Sequence, residues 1–466
     1  MATQSTLMKT AARPREHSLS EPREHARLGS DFLANVFAAL THLEAKVFLS
    51  LLFAFALAVR LAALFGLRHI SALPGMQQGA DGVQFEQFAR ALAQGRGFVR
   101  PSGVPTSFRA PGFPMFVSVI YRITHISVSA ATLSFAFVGA ATCVATYLLA
   151  KEVAAERTAR FAAVLSAVYF PIVYFCTVWL SEPLFMLCFT LSLWLFLVHL
   201  RKGSIAALVA AGLLFSWATL TRPFAILMLP VLLIAQWSYS RKRMLTVPLL
   251  ALCALAPTSV WTARNYRVHH AFVLVSTNGG STFYGGNNDT VLRVPQYMGA
   301  WVATTHLPGR AQIEAAPNEY LHDQVEWQLG KQWVRSHLAM MPVLIAMKLV
   351  RFVLPEIDSE NKKFVLLSIV TYLPFLPLWI LGFRELREKE RLSPGWFLVH
   401  AAVATTLITA VVFWGSPRFR DAVAPLLMLY AACGVERVVS QHLSRSSAVV
   451  SRNIPQNVPA EIAKSA

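Results

Sequence analysis

The chain has 466 residues, of which 55% are hydrophobic and only 14% are charged. A soluble protein carries about 25% charged residues, so this composition excludes a soluble globule and equally a disordered chain. The formal net charge is +18, from 42 Lys and Arg against 24 Asp and Glu. In a membrane protein such an excess orients the chain when it lies in short loops. We therefore expect membrane lipids and no nucleic acid among the partners.

The sequence predicts an all-α polytopic membrane protein between two polar ends. Residues 1–42 are polar and of mixed charge, and they lack the apolar core and cleavage site of a secretory signal. We expect cytoplasmic tails at 1–42 and 441–466. Between them lie about ten apolar runs long enough to span a bilayer. They are 43–66, 126–150, 158–178, 180–200, 204–220, 223–240, 245–262, 364–383, 396–414 and 420–439. Arg60 interrupts the first run, but it lies near one end, where it can reach the interface.

Four short basic loops set the expected orientation. They contain Lys151 with Arg157 and Arg160, then Arg201–Lys202, Arg241–Lys242–Arg243, and Arg384 with Arg387, Lys389 and Arg391. All four are cytoplasmic if the apolar run 338–355, which carries Lys348 and Arg351, is an interfacial helix. The alternative is an eleventh span, which would move the C-terminus to the other side. With ten spans, both termini are cytoplasmic.

This topology gives three central parts. Residues 43–262 form an N-terminal transmembrane module that includes a first outer loop, 67–125. Residues 263–363 form a second outer loop with the interfacial helix. Residues 364–440 form the C-terminal transmembrane helices. The five cysteines lie in apolar runs without a CxxC pair, so neither a disulfide framework nor a zinc site is expected.

The first outer loop contains a conspicuous acid. Asp81 follows Gly79-Ala80, and the apolar residues Phe85, Phe88, Ala89 and Leu92 then recur at helical spacing. Asp81 can simply cap that helix. Further on, Arg109-Ala-Pro-Gly-Phe-Pro leads into a short apolar helix at 113–123.

These motifs, with others later in the chain, resemble a known family. The later motifs are Ser181-Glu182-Pro183, Ala218-Thr-Leu-Thr-Arg222-Pro223, Arg264-Asn265-Tyr266, Val275-Ser-Thr-Asn278-Gly279-Gly280, Gly286-Asn287-Asn288 and Gly415-Ser-Pro-Arg418-Phe-Arg420. In this order they look like membrane glycosyltransferases of the C superfamily. More narrowly they look like the bacterial dolichyl-phosphate-mannose protein mannosyltransferase-like group, which includes lipid A sugar transferases. The resemblance covers about residues 45–440.

The resemblance implies an enzyme of the bacterial inner membrane. Such an enzyme moves a sugar from a polyprenyl-phosphate carrier to an acceptor hydroxyl on the outer face, with inversion at the anomeric carbon. The acceptor can be a lipid, a glycan or a protein, and no cofactor is implied. The Asp of the first outer loop, here Asp81, is the catalytic base. The chain departs from many relatives in having Gly82 after this Asp and Arg109 where some have an acid, which disfavours a two-carboxylate mechanism.

The residue types suit this chemistry. An acceptor hydroxyl needs a base, whereas a lipid phosphate leaves as a stable anion and needs positive charge rather than an acid. Arg grips phosphate oxygens in a bidentate manner. The candidate phosphate ligands at outer membrane edges are Arg109, Arg222, Arg264, Arg418 and Arg420. Lipid headgroup contact or anchoring of a span is the alternative for these residues. Glu86 and Glu182 are possible assisting acids, although Glu86 also suits a solvated helix face and Glu182 a helix N-terminus.

The second outer segment supplies candidate sugar-binding residues. Tyr284, Asn287 and Asn288 carry the polar and aromatic groups that suit a sugar or acceptor, while its Trp residues suit a membrane interface equally well. No His or Asp pair in this segment has ligand partners at a recognisable spacing, so no metal site is predicted.

Two other classes of function remain open. A transporter or flippase of a polyprenyl-linked or amphiphilic substrate would also be polytopic, but the halves of the chain show no repeat. A polymerase or ligase for surface polysaccharide also uses large outer loops.

Overall fold

The computed structural model describes residues 43–69, 80–355, 362–389 and 393–452. Within these ranges the chain is helical, and an isolated bridge between Val99 and Pro105 is the one extended pairing. The predicted tail 1–42, residues 70–79 of the first outer loop and Arg391 of the fourth basic loop lie outside the described residues. Residues 43–437 form one compact unit.

The helices of the N-terminal part begin and end close to the predicted apolar runs. They are α1 (Ala45–His69), α2 (Ala80–Ala93), α3 (Gly112–Ile123), α4 (Val128–Val153), α5 (Glu156–Val168), α6 (Phe170–Phe175), α7 (Glu182–Lys202), α8 (Ile205–Thr221), a 3-10 helix (Pro223–Met228), α9 (Leu229–Tyr239) and α10 (Arg243–His269).

The second outer segment is built from short helices, and longer ones follow. They are α11 (Gly279–Gly285), α12 (Asp289–Arg293), α13 (Arg310–Glu314), α14 (Glu319–Ser336), α15 (Met341–Val353), α16 (Lys362–Tyr372), α17 (Phe375–Lys389), α18 (Pro394–Val412), α19 (Pro417–Asp421) and α20 (Ala424–Arg452). Single-turn 3-10 helices lie at Pro295–Tyr297, Thr304–His306 and Leu338–Met340. Where the sequence predicts the start of a tail, residues 441–452 continue α20.

The predicted fold class, an all-α polytopic membrane protein, is confirmed, but the number of ten spans is not. In the described ranges, six helices are long and apolar enough to cross a membrane: Ala45–Gly66, Val128–Val153, Glu182–Lys202, Arg243–His269, Lys362–Leu386 and Pro394–Val412. Three shorter apolar helices accompany them: Gly112–Ile123, Ile205–Thr221 and Pro223–Tyr239.

The run predicted as an interfacial helix forms α15. With 13 residues, it is too short to cross a bilayer alone. It is bent by 79° from α14, and the two would count as a seventh span if joined. Its Lys348 is fully buried and donates hydrogen bonds to Asn287 and to the carbonyl of Val411, so this charge does not face a membrane surface.

The run predicted as a continuous span at 158–178 is broken between α5 and α6. Pro171 has no backbone N–H, so the carbonyl of Ala167 has no helical partner. Arg60 donates to this carbonyl (3.3 Å) and to that of Ser166 (3.4 Å). Arg60 therefore does not reach the interface as predicted, because its fully buried guanidinium satisfies the end of α5.

Several long helices connect a basic loop at one end with the same group of polar residues at the other. Helix α7 runs from Glu182 to Lys202 over 21 residues, which corresponds to about 30 Å. Helix α8 returns from the turn at Gly203 to Arg222. Helix α18 likewise leads from the fourth basic loop towards Arg418. The residues described next therefore lie at the helix ends opposite the basic loops.

A hydrophobic cluster joins the two outer segments at this end of the molecule. Phe88 of α2 packs with Phe98, Trp261 and Val275, together with Leu220 at the end of α8. The indole nitrogen of Trp261 donates to the carbonyl of Val275 at 2.7 Å. The cluster thus fixes the first outer loop and the 275–282 segment against the ends of α8 and α10.

Candidate active site

A cavity of about 380 Å³ opens at these helix ends. Small-molecule sites are typically clefts of about 300–1,000 Å³, so a sugar-sized group fits. The lining comes from both outer segments and from the ends of α8, α18 and α19. Its charged members are Asp81, Arg109, Arg222 and Arg418.

Asp81 lies in the first turn of α2 and is clamped between two guanidinium groups. Its Oδ1 accepts a hydrogen bond from Nη2 of Arg109 at 2.6 Å, and its Oδ2 accepts from Nη1 of Arg418 at 3.3 Å. The Asp81 side chain remains 28% exposed. The carboxylate is thus accessible from the cavity while both its oxygens are paired.

Behind Asp81, Glu182 forms a second set of ion pairs. Its Oε1 lies 2.8 Å from Nη1 of Arg222 and 2.8 Å from Nη2 of Arg418. The Glu182 side chain is fully buried and does not line the cavity, and its Oε2 has no hydrogen-bond partner among the described residues. Arg418 therefore bridges the two carboxylates. With two carboxylates and three guanidinium groups, this cluster has a formal charge of +1.

The cluster holds Asp81 in its ionised form. Burial alone would raise the pKa of Asp81, but the neighbouring charges of Arg418 and Arg109 outweigh it, and the pKa lies below its ordinary value. Burial lowers the pKa of Arg109, whereas Glu182 and Asp81 overcome the same effect at Arg418 and raise its pKa. At neutral pH, Asp81 can accept a proton and the Arg residues can bind an anion.

Two glycines explain how the cluster forms. A Cβ at Gly112 would lie 2.4 Å from Oγ1 of Thr221 and 2.9 Å from the carbonyl carbon of Leu220, so only glycine lets the start of α3 reach the end of α8. This contact brings Arg109 and Arg222 to the same place. A Cβ at Gly82 would likewise lie 3.1 Å from that of Trp179, next to the start of α7.

The rest of the cavity wall has an apolar side and a neutral polar side. The apolar side includes Phe85, Phe224, Ile226, Leu274, Val275, Phe413, Trp414 and Phe419. The neutral polar side chains are Ser181, Thr221, Ser276, Asn278, Thr282 and Thr409. The cavity thus combines a cationic end with apolar and hydrogen-bonding surfaces.

The other predicted residues lie away from the cluster. Glu86 pairs with Arg90 at 2.6 Å on α2 and accepts from Tyr121 at 3.0 Å, so it does not assist at Asp81. Arg264 donates to the carbonyls of Thr106 (2.7 Å) and Phe98 (2.9 Å). Its guanidinium holds the first outer loop and does not line the cavity, contrary to its predicted phosphate-binding role.

Arg420 does not line the cavity either, contrary to its predicted phosphate-binding role. It pairs with Asp421 and donates to the carbonyls of Phe352, Val353 and Leu354, which end α15. Residues at positions i and i+2 of a helix lie about 200° apart, so α19 directs Arg418 to the cavity and Arg420 to the opposite side. The Arg420 side chain is 5% exposed and closes a helix end.

The three predicted sugar-binding residues also have structural roles. The hydroxyl of Tyr284 donates to the carbonyl of Pro308. Asn287 donates to the carbonyls of Phe283 and Val412, and Asn288 caps α12 through the backbone N–H of Val291. All three side chains are buried, and none lines the cavity.

Sequence reasoning missed Glu319. One of its oxygens accepts from the backbone N–H of Ser107 (2.7 Å) and the hydroxyl of Thr277 (2.6 Å). The other accepts from Thr106 (2.5 Å) and Arg100 (2.7 Å). Glu319 therefore joins the two segments that lead directly to Arg109 and to Asn278. All of these contacts are distant in sequence, and no local pattern indicates them.

In the described ranges, no group of three or more His, Cys, Asp or Glu side chains could hold a metal ion. The two carboxylates of the cluster bond to guanidinium groups instead.

The comparisons with known proteins find one partial family match. Residues 108–261 match the family model of dolichyl-phosphate-mannose-protein mannosyltransferase. The match begins at the residue before Arg109 and includes Glu182 and Arg222. No curated protein matches the sequence.

Solved structures show the same kind of fold. The apo oligosaccharyltransferase of Archaeoglobus fulgidus is similar with a TM-score of 0.53 and 13% identity, over 87% of this chain and 52% of that one. The same enzyme in complex with Zn and sulfate has a TM-score of 0.51 and 14% identity, over 86% of this chain and 50% of that one. ArnT from Cupriavidus metallidurans bound to undecaprenyl phosphate has a TM-score of 0.40 and 15% identity, over 83% of this chain and 78% of that one. The chain spans about half the length of the oligosaccharyltransferase. At these identities the two oligosaccharyltransferase structures show a likeness of fold alone. The family model confirms the predicted resemblance over residues 108–261.

Proposed function

We propose that the protein is an inverting glycosyltransferase of the bacterial inner membrane. It would move a sugar from a polyprenyl-phosphate carrier to an acceptor hydroxyl on the outer face. The observation that carries this proposal is the cluster of one accessible carboxylate and three guanidinium groups in a partly apolar cavity. The partial match to a family whose description names a dolichyl-phosphate-mannose donor supports the choice of carrier.

The charges of the cluster suit a phosphodiester donor. The donor phosphate carries one negative charge, which balances the formal +1 of the cluster. When the bond between the anomeric carbon and the phosphate oxygen breaks, further negative charge develops on the lipid phosphate. Arg109, Arg222 and Arg418, whose side chains are partly buried, then stabilise it more strongly than they would in bulk water. No general acid is required.

Asp81 would act as the base. The acceptor oxygen attacks the anomeric carbon from the face opposite the leaving phosphate, its proton passes to Asp81, and the configuration inverts. Glu182 is the fully buried carboxylate of the cluster, so we assign it the positioning of Arg222 and Arg418 rather than proton transfer.

Donor binding would also activate Asp81. In the free protein, Arg109 and Arg418 engage both Asp81 oxygens. A phosphate bound by the same guanidinium groups competes with these pairs and neutralises their charge. The pKa of Asp81 then rises towards, or above, its ordinary value, which makes the carboxylate a better base when an acceptor can use it.

The outer-face location rests on charge topology. Arg201–Lys202 lies at the far end of α7 from Glu182, about 30 Å away, and short basic loops are retained in the cytoplasm. We accordingly propose that both termini are cytoplasmic and that the cavity opens to the periplasm.

Product analysis tests the proposal. Purified protein in liposomes should convert polyprenyl-phosphate-linked sugar and acceptor into a glycosylated product and free lipid phosphate. A transporter or flippase would move the lipid across the bilayer without a covalent product. That result would overturn the assignment.

A further inference from the structure

The neutral polar side of the cavity offers few free hydrogen-bond donors. A hydroxyl group has a single proton, and three of the lining hydroxyls already donate theirs to backbone carbonyls, at 2.7–2.8 Å. They belong to Thr221, Thr282 and Thr409. These side chains can therefore only accept a hydrogen bond from a ligand.

Asn278 differs from these neighbours. The hydroxyl of Ser276 donates to its Oδ1 at 2.8 Å, which fixes the orientation of the amide. In the described part of the chain, no group accepts a hydrogen bond from its Nδ2, which carries two protons. Asn278 is half-buried and lines the cavity, as does Ser276.

The backbone holds this amide in place. The carbonyl of Asn278 accepts from the backbone N–H of Thr282 (3.1 Å) and from the hydroxyl of Thr282 (2.7 Å). On the other side, the backbone N–H of Thr277 donates to the carbonyl of Ser107 at 2.9 Å. Asn278 therefore lies on a frame that is tied to the loop carrying Arg109.

The Asn278 amide and the Ser276 oxygen form a neutral donor beside a neutral acceptor. A sugar hydroxyl both accepts and donates, so it matches such a pair, whereas a phosphate prefers the cationic end of the same cavity. We propose that Asn278, oriented by Ser276, recognises a sugar hydroxyl and sets the specificity of transfer. This inference rests on the proposed function. The hydroxyl could belong to the donor sugar or to a glycan acceptor.

The test combines variants with deoxygenated substrates. Wild type, Asn278→Ala and Asn278→Asp would be assayed with undecaprenyl-phosphate-linked mannose, glucose and galactose. The deoxy forms of the best donor, and then of a glycan acceptor, would follow. Asn278→Asp keeps the shape of the side chain but removes the donor protons. Ser281→Ala is the matched control, because its hydroxyl contacts the same Asn278 carbonyl but does not line the cavity.

We expect Asn278→Ala to lower kcat/KM about 3- to 10-fold, the usual effect of one neutral hydrogen bond. Removing the recognised hydroxyl from the substrate should cost wild type the same factor, and the two losses should not add. If the loss from Asn278→Ala fails to add to that of a deoxy donor, the recognised hydroxyl belongs to the donor sugar. If it fails to add to that of a deoxy acceptor, the hydroxyl belongs to the acceptor. Thermal unfolding in detergent checks that the variants fold.

Two results overturn the inference in distinguishable ways. If wild type transfers sugar, but each deoxy substrate loses the same factor in kcat/KM with wild type and with Asn278→Ala, the recognition role is wrong and the proposed function stands. If wild type transfers no sugar from any donor, the proposed function fails and this inference fails with it.

Discussion

Asp81→Asn should separate sugar transfer from lipid-phosphate binding. In the free protein the Asp81 carboxylate occupies guanidinium groups that we assign to the phosphate, at 2.6 Å from Arg109 and 3.3 Å from Arg418. A neutral amide removes this competition. Each charged hydrogen bond is worth about 1.5–3 kcal/mol when buried, and the partial exposure of Asp81 reduces that value.

We therefore expect a net gain of about 1–2 kcal/mol, or about 5- to 30-fold tighter binding of undecaprenyl phosphate. Transfer should fall by about 10²- to 10⁴-fold, because the variant lacks the base. The fold should survive, since Arg109 keeps its bond to Gln84 (2.7 Å) and Arg418 its pairs with Glu182.

The assay is binding of undecaprenyl phosphate to purified protein in nanodiscs, alongside initial rates of transfer. Glu86→Gln is the matched control, because this acid lies on the same helix but pairs with Arg90 outside the cavity. It should change neither quantity by more than about 3-fold, as expected of a partly exposed ion pair. Weaker or unchanged binding by Asp81→Asn would refute the competition between Asp81 and the phosphate.

Three further predictions concern the frame of the site and its pH dependence. Gly112→Ala should reduce transfer and lower the Tm, because its methyl group would collide with the end of α8; an unchanged rate would show that this contact does not position Arg109. Glu319→Gln should place its NH2 group against a fixed donor, either the Arg100 guanidinium or the backbone N–H of Ser107, leave at least one of the four hydrogen bonds unmade and cost about 1–3 kcal/mol in unfolding free energy. Hydrogen exchange should then quicken at residues 98–109, and unaltered exchange would contradict the role of Glu319. Because the pKa of Asp81 is depressed in the free protein, Asp81 should cause no loss of kcat/KM as pH falls from 8 to about 5. The acidic limb of the kcat profile should appear at higher pH than that of kcat/KM, because in the donor complex the phosphate neutralises the Arg charges that lower the pKa of Asp81. If the two limbs coincide, donor binding does not raise the pKa of Asp81.

The apolar runs predict most of the helices, because hydrophobic length is a local property of the sequence. Pro171 could have indicated the break between α5 and α6, which the prediction of a continuous span at 158–178 missed. However, nothing local shows that Arg60, more than 100 positions earlier, satisfies the carbonyls left free there. Its burial depends on tertiary packing, and the expectation that it would reach the interface was therefore wrong.

The candidate site was predictable to a similar extent. The motif order suggested Asp81, Arg109, Arg222 and Arg418, and the structure brings all four to one cavity. Their catalytic roles remain predictions. Arg418 and Arg420 are two positions apart on a short helix, so their side chains point to opposite sides. This spacing alone shows that both cannot line the same cavity wall.

The polar wall was harder to predict. Asn287 and Asn288 looked suited to a sugar, but their amides bond to nearby backbone, which sequence type alone does not reveal. Asn278 belongs to the motif 275–280 but was not predicted to bind sugar, because its free amide group depends on the hydrogen bond from Ser276. Glu319 acts entirely through contacts far apart in sequence.

Mass spectrometry of a reconstituted reaction tests the central claim most directly. Purified wild type and Asp81→Asn would be incubated in liposomes with undecaprenyl-phosphate-linked sugars and candidate lipid, glycan and peptide acceptors. The proposed function predicts a glycosylated acceptor and equimolar free undecaprenyl phosphate with wild type, and about 10²- to 10⁴-fold slower formation of both with Asp81→Asn. The absence of any covalent product with wild type, or full activity of Asp81→Asn, would contradict it.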